Sequence, residues 1–158
     1  MELSIRKADA TDMPFVLELI KELARFENEP DAVCIDAQVL VQEGFGKNPL
    51  FTCFVAVVEN QIVGAALIYF RFSTWTGKTV HLEDLIVRQS MRGKGVGKAL
   101  YTKVMEFASD HGVKRVEWVV LDWNEGAIAF YQKSGAKMLK DWYLVQMDEK
   151  GIKNYLSN

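Results

Sequence analysis

The sequence predicts one α/β domain on a mixed sheet, with an antiparallel meander in its N-terminal half and helices on both faces. Three observations lead there. Three strand-like runs, Phe51 to Val58, Ile62 to Phe72 and Thr79 to Val87, follow one another with short breaks, which is the spacing of a meander. Apolar residues at helical spacing precede and follow these runs, so helices are available to cover the sheet. No repeat, low-complexity tract or Pro/Ser-rich linker divides the 158 residues, so residues 1–158 are expected to form a single domain.

Taken in order, Leu3 to Lys7 reads as a short strand. Thr11 or Asp12 can cap a helix with Pro14 in its first turn, and Phe15, Val16, Leu19, Ile20, Leu23 and Phe26 recur as its inward face. Asp36 starts a shorter helix through Val39 and Leu40, stopped by Gly44. The turn-like Glu59-Asn60-Gln61 joins the first two strands of the meander. Beyond a glycine-rich bend, Leu100, Val104, Phe107 and Ala108 mark a helix ended by Gly112, and Arg115 to Leu121 supplies another strand. Asn124 caps a helix carrying Ile128 and Tyr131, and final strands are expected at Ala136 to Leu139 and Trp142 to Met147.

Composition narrows the function classes. At 49% hydrophobic and 25% charged residues the chain is ordinary for a globular protein, and its length suffices for a core without disulfides or structural metal. The first residues carry an acid at Glu2 and no apolar run of signal length, and no later stretch is long enough to span a bilayer. A cytoplasmic protein with no membrane partner is expected. A net charge of −2 argues against nucleic acid as a partner. Cys34 and Cys53 have no metal-ligand spacing and suit a reducing compartment, and His81 and His111 read as structural or surface residues, so no metal is expected.

The segment Arg92-Gly93-Lys94-Gly95-Val96-Gly97-Lys98 lies between a strand and a helix, where backbone N–H groups can point at an anion and three cationic side chains reinforce them. A nucleotide P-loop needs a glycine five residues before Gly97, where Arg92 stands, and a hydroxyl after Lys98, where Ala99 stands. A dinucleotide fingerprint read from Gly93 needs a third glycine at Lys98. What remains, R-x-x-G-x-G after a strand, resembles the pyrophosphate loop of the GNAT N-acetyltransferases, which binds coenzyme A.

Acyl transfer from a thioester to an amine needs a proton acceptor, a polarised carbonyl and a proton for the departing thiolate. In Thr79 to Val87 the adjacent Glu83 and Asp84 interrupt an apolar strand, and alternation sends them to opposite faces unless a bulge intervenes. Glu83 is the candidate base, directly or through water, and Asp84 the candidate holder of a cationic substrate; pairing of both with nearby Arg or Lys is the competing structural reading. A backbone N–H near Leu85 can polarise the carbonyl. Tyr131 can protonate the thiolate or simply pack. Trp75 can wall the substrate's aliphatic stem, or belong to the rim.

The resemblance runs nearly the whole chain and points to the spermidine/spermine and thialysine branch of that superfamily. It is carried by Leu19 to Ala24, Gly44-Phe45-Gly46, Trp75 to Gly77, Leu82-Glu83-Asp84, Arg92 to Gly97, Trp123-Asn124-Glu125, Phe130-Tyr131 and Gly135-Ala136. It implies acetyl-CoA as co-substrate, a small-molecule primary amine as acceptor, and a homodimer. Leu85, Ile86 and Val87 would contact the acetyl and pantetheine arm. Arg92 and Gly93 to Lys98 would hold the pyrophosphate, with Asn124, Glu125, Gly126 and Ala127 lining the cofactor. Tyr131 would be the general acid, Glu83 the base, and Phe26 and Glu27 would contact substrate. Ser73-Thr74 stands where polyamine enzymes carry an acid before the loop tryptophan, which implies thialysine or a related amino acid over spermidine. A polyamine acetyltransferase, a non-catalytic acyl-CoA-binding module and a nucleotide-binding oxidoreductase are the alternatives.

Overall fold

The computed structural model describes residues 1–157. The chain forms two compact units, one from Met1 to Val119 and one from Val120 onward. The first contains β1 (Leu3–Lys7), α1 (Met13–Phe26), α2 (Ala37–Phe45), β2 (Thr52–Val58), β3 (Gln61–Ser73), β4 (Gly77–Val87), α3 (Val96–Asp110) and β5 (Val116–Glu117). Its sheet has the order β1-β2-β3-β4-β5. The first four strands are mutually antiparallel and β5 runs parallel to β4. Parallel neighbours need a crossover, and α3 provides it.

Both faces of this sheet are covered, which is why β2 reads Thr-Cys-Phe-Val-Ala-Val-Val without polar alternation. Phe54, Ala56, Ile68, Val80 and Leu82 pack with Val96, Leu100 and Val104 of α3. Val55, Ala65 and Ile86 pack on the opposite side with Met13, Val16 and Leu19 of α1 and Leu40 of α2. Gly64 sets how closely α3 approaches: a β-carbon there would lie 2.8 Å from the Ile86 carbonyl oxygen and 3.0 Å from Leu100 Cδ1.

Several expectations change in detail. A 3-10 turn, Ala10–Asp12, capped by Asp9, precedes α1. Asp12 makes no side-chain cap; its carboxylate instead accepts from Arg6 at 2.7 and 2.9 Å and from the Asp9 N–H at 2.9 Å. Of the expected inward face of α1, Val16 and Leu19 are buried and Ile20 and Leu23 pack half-buried against the same core, joined by Met13 and Leu17, while Phe15 and Phe26 are exposed. Asp36 does cap α2, accepting from Val39 N at 2.9 Å, and the helix runs one residue past Gly44. The strand expected from Arg115 to Leu121 shortens to Val116–Glu117, which pair with Val80 and His81.

In the second unit, α4 (Glu125–Lys133) starts where expected: Asn124 accepts from Ala127 N at 3.3 Å. Neither Ala136–Leu139 nor Trp142–Met147 is a strand; both are irregular segments flanking a turn at residues 140–141. β propensity makes a segment ready to pair, but a ladder partner makes the strand, and these segments have none among the described residues. A helix that was not expected, α5 (Glu149–Leu156), closes the unit, with Asp148 accepting from Gly151 N at 2.7 Å.

Candidate functional site

The site is built around an irregularity in β4. Val80 and Leu82 lie in the core beneath α3, and so do Leu85 and Val87, whereas Ile86 lies in the opposite core. The change from even to odd positions marks a β-bulge: Leu67 pairs with Asp84 and Ile68 with Leu82, so Glu83 is the extra residue. Its consequence is chemical. Counting alternation inward from Leu82 and from Ile86 sends both Glu83 and Asp84 to the face covered by α1 and α2.

There Glu83 is held by its neighbours. The Tyr69 hydroxyl donates to Glu83 Oε2 at 2.8 Å, and burial together with that bond pushes the phenol pKa up to about 12, so it stays a donor. His81 Nε2 lies 3.5 Å from the same carboxylate oxygen, and its Nδ1 lies 3.1 Å from Arg71 Nη1. A guanidinium can only donate, so Nδ1 is the acceptor and the Nε2–H faces Glu83. Burial holds His81 below its ordinary pKa against the opposing charge of Glu83, with Arg71 adding to the lowering, which favours this neutral form. Arg71 also pairs with Glu117 Oε1 at 2.8 Å, and Arg115 with Glu117 Oε2 at 2.9 Å.

Asp84 is pushed up to about 6, first by burial and then by the charges of Glu83 and Glu27. Glu27, which caps the C-terminus of α1, is also raised by burial. Three carboxyl groups thus share one region, the arrangement that a cationic ligand relieves. The competing structural reading, carboxylates paired with Arg or Lys, does not describe Glu83. Its partners among the described residues are a phenol and an imidazole.

Past β4 the chain turns through Gln89–Met91 into the glycine loop. Gln89 N donates to Glu22 of α1 at 2.7 Å, Arg92 Nε donates to the Val87 carbonyl at 3.2 Å, and the Arg92 guanidinium lies 4.6 Å from the centre of the Phe26 ring. Phe26 therefore supports the loop. Gly93 and Gly95 have φ of 75° and 85°, a region side chains avoid, and a β-carbon on either would meet nothing within 4 Å. The first intrahelical bond of α3 is Ala99 N to Gly95 O at 3.0 Å, so the N–H groups of Val96, Gly97 and Lys98 precede the ladder. With Lys94 and Lys98 exposed beside them, open space above the loop and donors beneath it fit a pyrophosphate.

A family model described as the Acetyltransferase (GNAT) family matches residues 16–136, a range that contains both the bulge and the loop. The chain belongs to the GNAT acetyltransferases. Curated relatives agree: a thialysine N-epsilon-acetyltransferase of Sus scrofa is 38% identical over 160 residues, covering 94% of each chain. The enzyme of that name from Mus musculus is 40% identical, covering 87% of this chain and 85% of its own. In fold, an integron cassette protein from the mobile metagenome of V. cholerae superposes with a TM-score of 0.81 at 22% identity, covering 100% of this chain and 99% of its own. An aminoglycoside acetyltransferase from a soil metagenome gives 0.76 at 22% identity, covering 92% of this chain and 97% of its own. As a GNAT member the protein is an N-acetyltransferase acting on an amine, and GNAT enzymes use acetyl-CoA as co-substrate.

The remaining expected residues are spread over both units. Ser73 ends β3, and its hydroxyl accepts from Trp75 N at 3.1 Å and Thr76 N at 3.2 Å; Thr74 and Trp75 are exposed in the same turn. Asn124, Glu125, Gly126, Ala127 and Tyr131 belong to α4 and its cap, where Tyr131 is the buried residue. Sequence reasoning missed Tyr69, Arg71 and Glu117, and set His81 aside. The signal was present: 69 and 71 on one strand and 81 and 83 on the next are alternate positions, which a hairpin brings to one face. No helix is long and apolar enough to cross a membrane among the described residues.

Proposed function

We propose that this protein transfers the acetyl group of acetyl-CoA to the terminal amine of thialysine or a related ω-amino acid. The observation that carries the reading is the bulge at Glu83, which turns two adjacent carboxylates to one face of the strand that leads into the glycine loop. Glu83 takes the proton of the incoming ammonium, directly or through water, while Asp84 and Glu27 favour the cation in its approach. Acetyl-CoA, when bound, supplies the activated thioester. Arg92 to Lys98 hold its pyrophosphate, Leu85 to Val87 offer main-chain contacts to its arm, and Asn124 to Ala127 line it. Tyr131 gives a proton to the departing thiolate.

Phe26, Ser73, Thr74 and Trp75 belong to the acceptor's surroundings. The Ser73 hydroxyl accepts two backbone N–H groups and retains its own proton to donate, which suits a substrate carboxylate. The relatives named for thialysine support the same choice. A polyamine is the second reading, favoured by the grouped carboxyls of Glu27, Glu83 and Asp84 and by a spermidine/spermine N(1)-acetyltransferase-like protein of Homo sapiens that is 37% identical over 158 residues. The family match across residues 16–136 supports one functional domain spanning both units. The exposed run Trp142 to Val145 supports a homodimer, since an unpaired apolar segment of this kind invites a second copy. A reducing, cytoplasmic setting suits the exposed free thiol of Cys34.

Two substrates and two proteins test the choice. The native chain is expected to show a higher kcat/KM for thialysine than for spermidine, and Ser73→Asp to move the ratio toward spermidine. A native preference for spermidine, or an unmoved ratio, contradicts it.

A further inference from the structure

We propose that Arg71, two residues before Ser73 on β3, supplies the cationic part of the subsite for the substrate's carboxylate and so helps select an ω-amino acid over a diamine. This rests on the functional reading above and adds the group that reads the far end of the acceptor. Arg71 lies on β3 two residues beyond Tyr69, so alternation puts it on the same face as the Glu83 carboxylate that Tyr69 holds. Between Arg71 and Glu83 stands a single imidazole: Arg71 Nη1 is 3.1 Å from one ring nitrogen of His81, and Glu83 Oε2 is 3.5 Å from the other. The span from base to guanidinium is thus one ring and two short contacts. An extended lysine-like chain, about 7–8 Å from amine nitrogen to carboxylate carbon by standard bond lengths, is of that size.

Charge and donor geometry support the assignment. Arg71 and Arg115 both pair with Glu117, so two guanidiniums share one carboxylate and the group carries one excess positive charge. Both contacts of Arg71, to His81 and to Glu117, use Nη1. Neither Nη2 nor Nε makes a hydrogen bond among the described residues, and the side chain is 51% exposed. A guanidinium pinned at one nitrogen and open at the others is prepared for two-point binding of a carboxylate. The same positive charge repels the distal ammonium of a diamine or polyamine, so one residue attracts the right acceptor and opposes the wrong one.

The test compares thialysine with its decarboxylated counterpart, bis(2-aminoethyl) sulfide, which has the same chain and amine but no carboxylate. In Arg71→Gln the ratio of kcat/KM for thialysine over the sulfide diamine is expected to fall at least about tenfold, chiefly through the KM of thialysine. Arg71→Lys, which keeps the charge and loses the fork, should fall between the two. The native protein gives an arm without mutation: thialysine methyl ester should lose a similar factor relative to thialysine. A ratio unchanged within twofold in Arg71→Gln, or an ester as good as the acid, overturns the proposal. An ion pair of purely structural worth would lower both substrates together and leave the ratio alone. A native protein that acetylates neither amine overturns the functional reading as well, a failure distinct from an active enzyme with an unmoved ratio.

Discussion

At the scale of single residues, the neighbouring acids behave differently because of what surrounds each. Glu83 is half exposed and receives a phenol, whereas Asp84 is burdened by burial and by two other carboxylates. The folded-state pKa of Asp84, about 6, lies above the ordinary 3.8, so the folded chain holds a proton that the unfolded chain releases between those values. Its stabilising share is complete below pH 4 and is lost as pH rises through 6. Asp84→Asn should therefore be more stable than the native protein at pH 8, by on the order of 2–3 kcal/mol, and about equal to it at pH 4. Urea denaturation of both proteins at the two pH values checks this, and a difference independent of pH contradicts it. The acids and their neighbourhood in sequence were legible at once. Their shared face was not, because a bulge depends on the register between β3 and β4 and has no residue signature of its own.

Among the elements, those whose partners are local were legible and those that need a distant partner were not. Asp36 and Asn124 cap their helices because a cap is settled within three residues. The meander was readable because short turns leave its strands little choice of neighbour. The irregular segments 136–139 and 142–147 have the composition of strands and no ladder among the described residues, and α5 has few apolar positions to announce it. Asp12 illustrates a cap residue claimed by a tertiary partner, since Arg6 takes the carboxylate that the helix would have used. The junction of α3 with the sheet rests on Gly64, whose β-carbon would press on the Ile86 carbonyl and on Leu100. Gly64→Val is expected to cost about 1–3 kcal/mol, because the backbone oxygen cannot yield as a side-chain tip can. It should also weaken acetyl-CoA binding, since Val96, at the start of α3, lies 3.3 Å from the same position. A denaturation midpoint and a binding titration that both match the native protein would refute this.

For the whole molecule, the sheet gives the site its reach. β4 carries the bulged acids and ends at the loop that opens α3, so one strand joins the base to the anion cradle. The most direct measurement is free-thiol release from acetyl-CoA with thialysine, native protein against Glu83→Gln, across pH. The native protein is expected to release thiol as the amine is acetylated. Glu83→Gln should be slower by about 10²-fold, with the deficit widening as pH falls and free amine becomes scarcer. A Glu83→Gln protein with the native rate and pH profile, or a native protein that releases no thiol with thialysine, would contradict the assignment of this bulge as the catalytic centre.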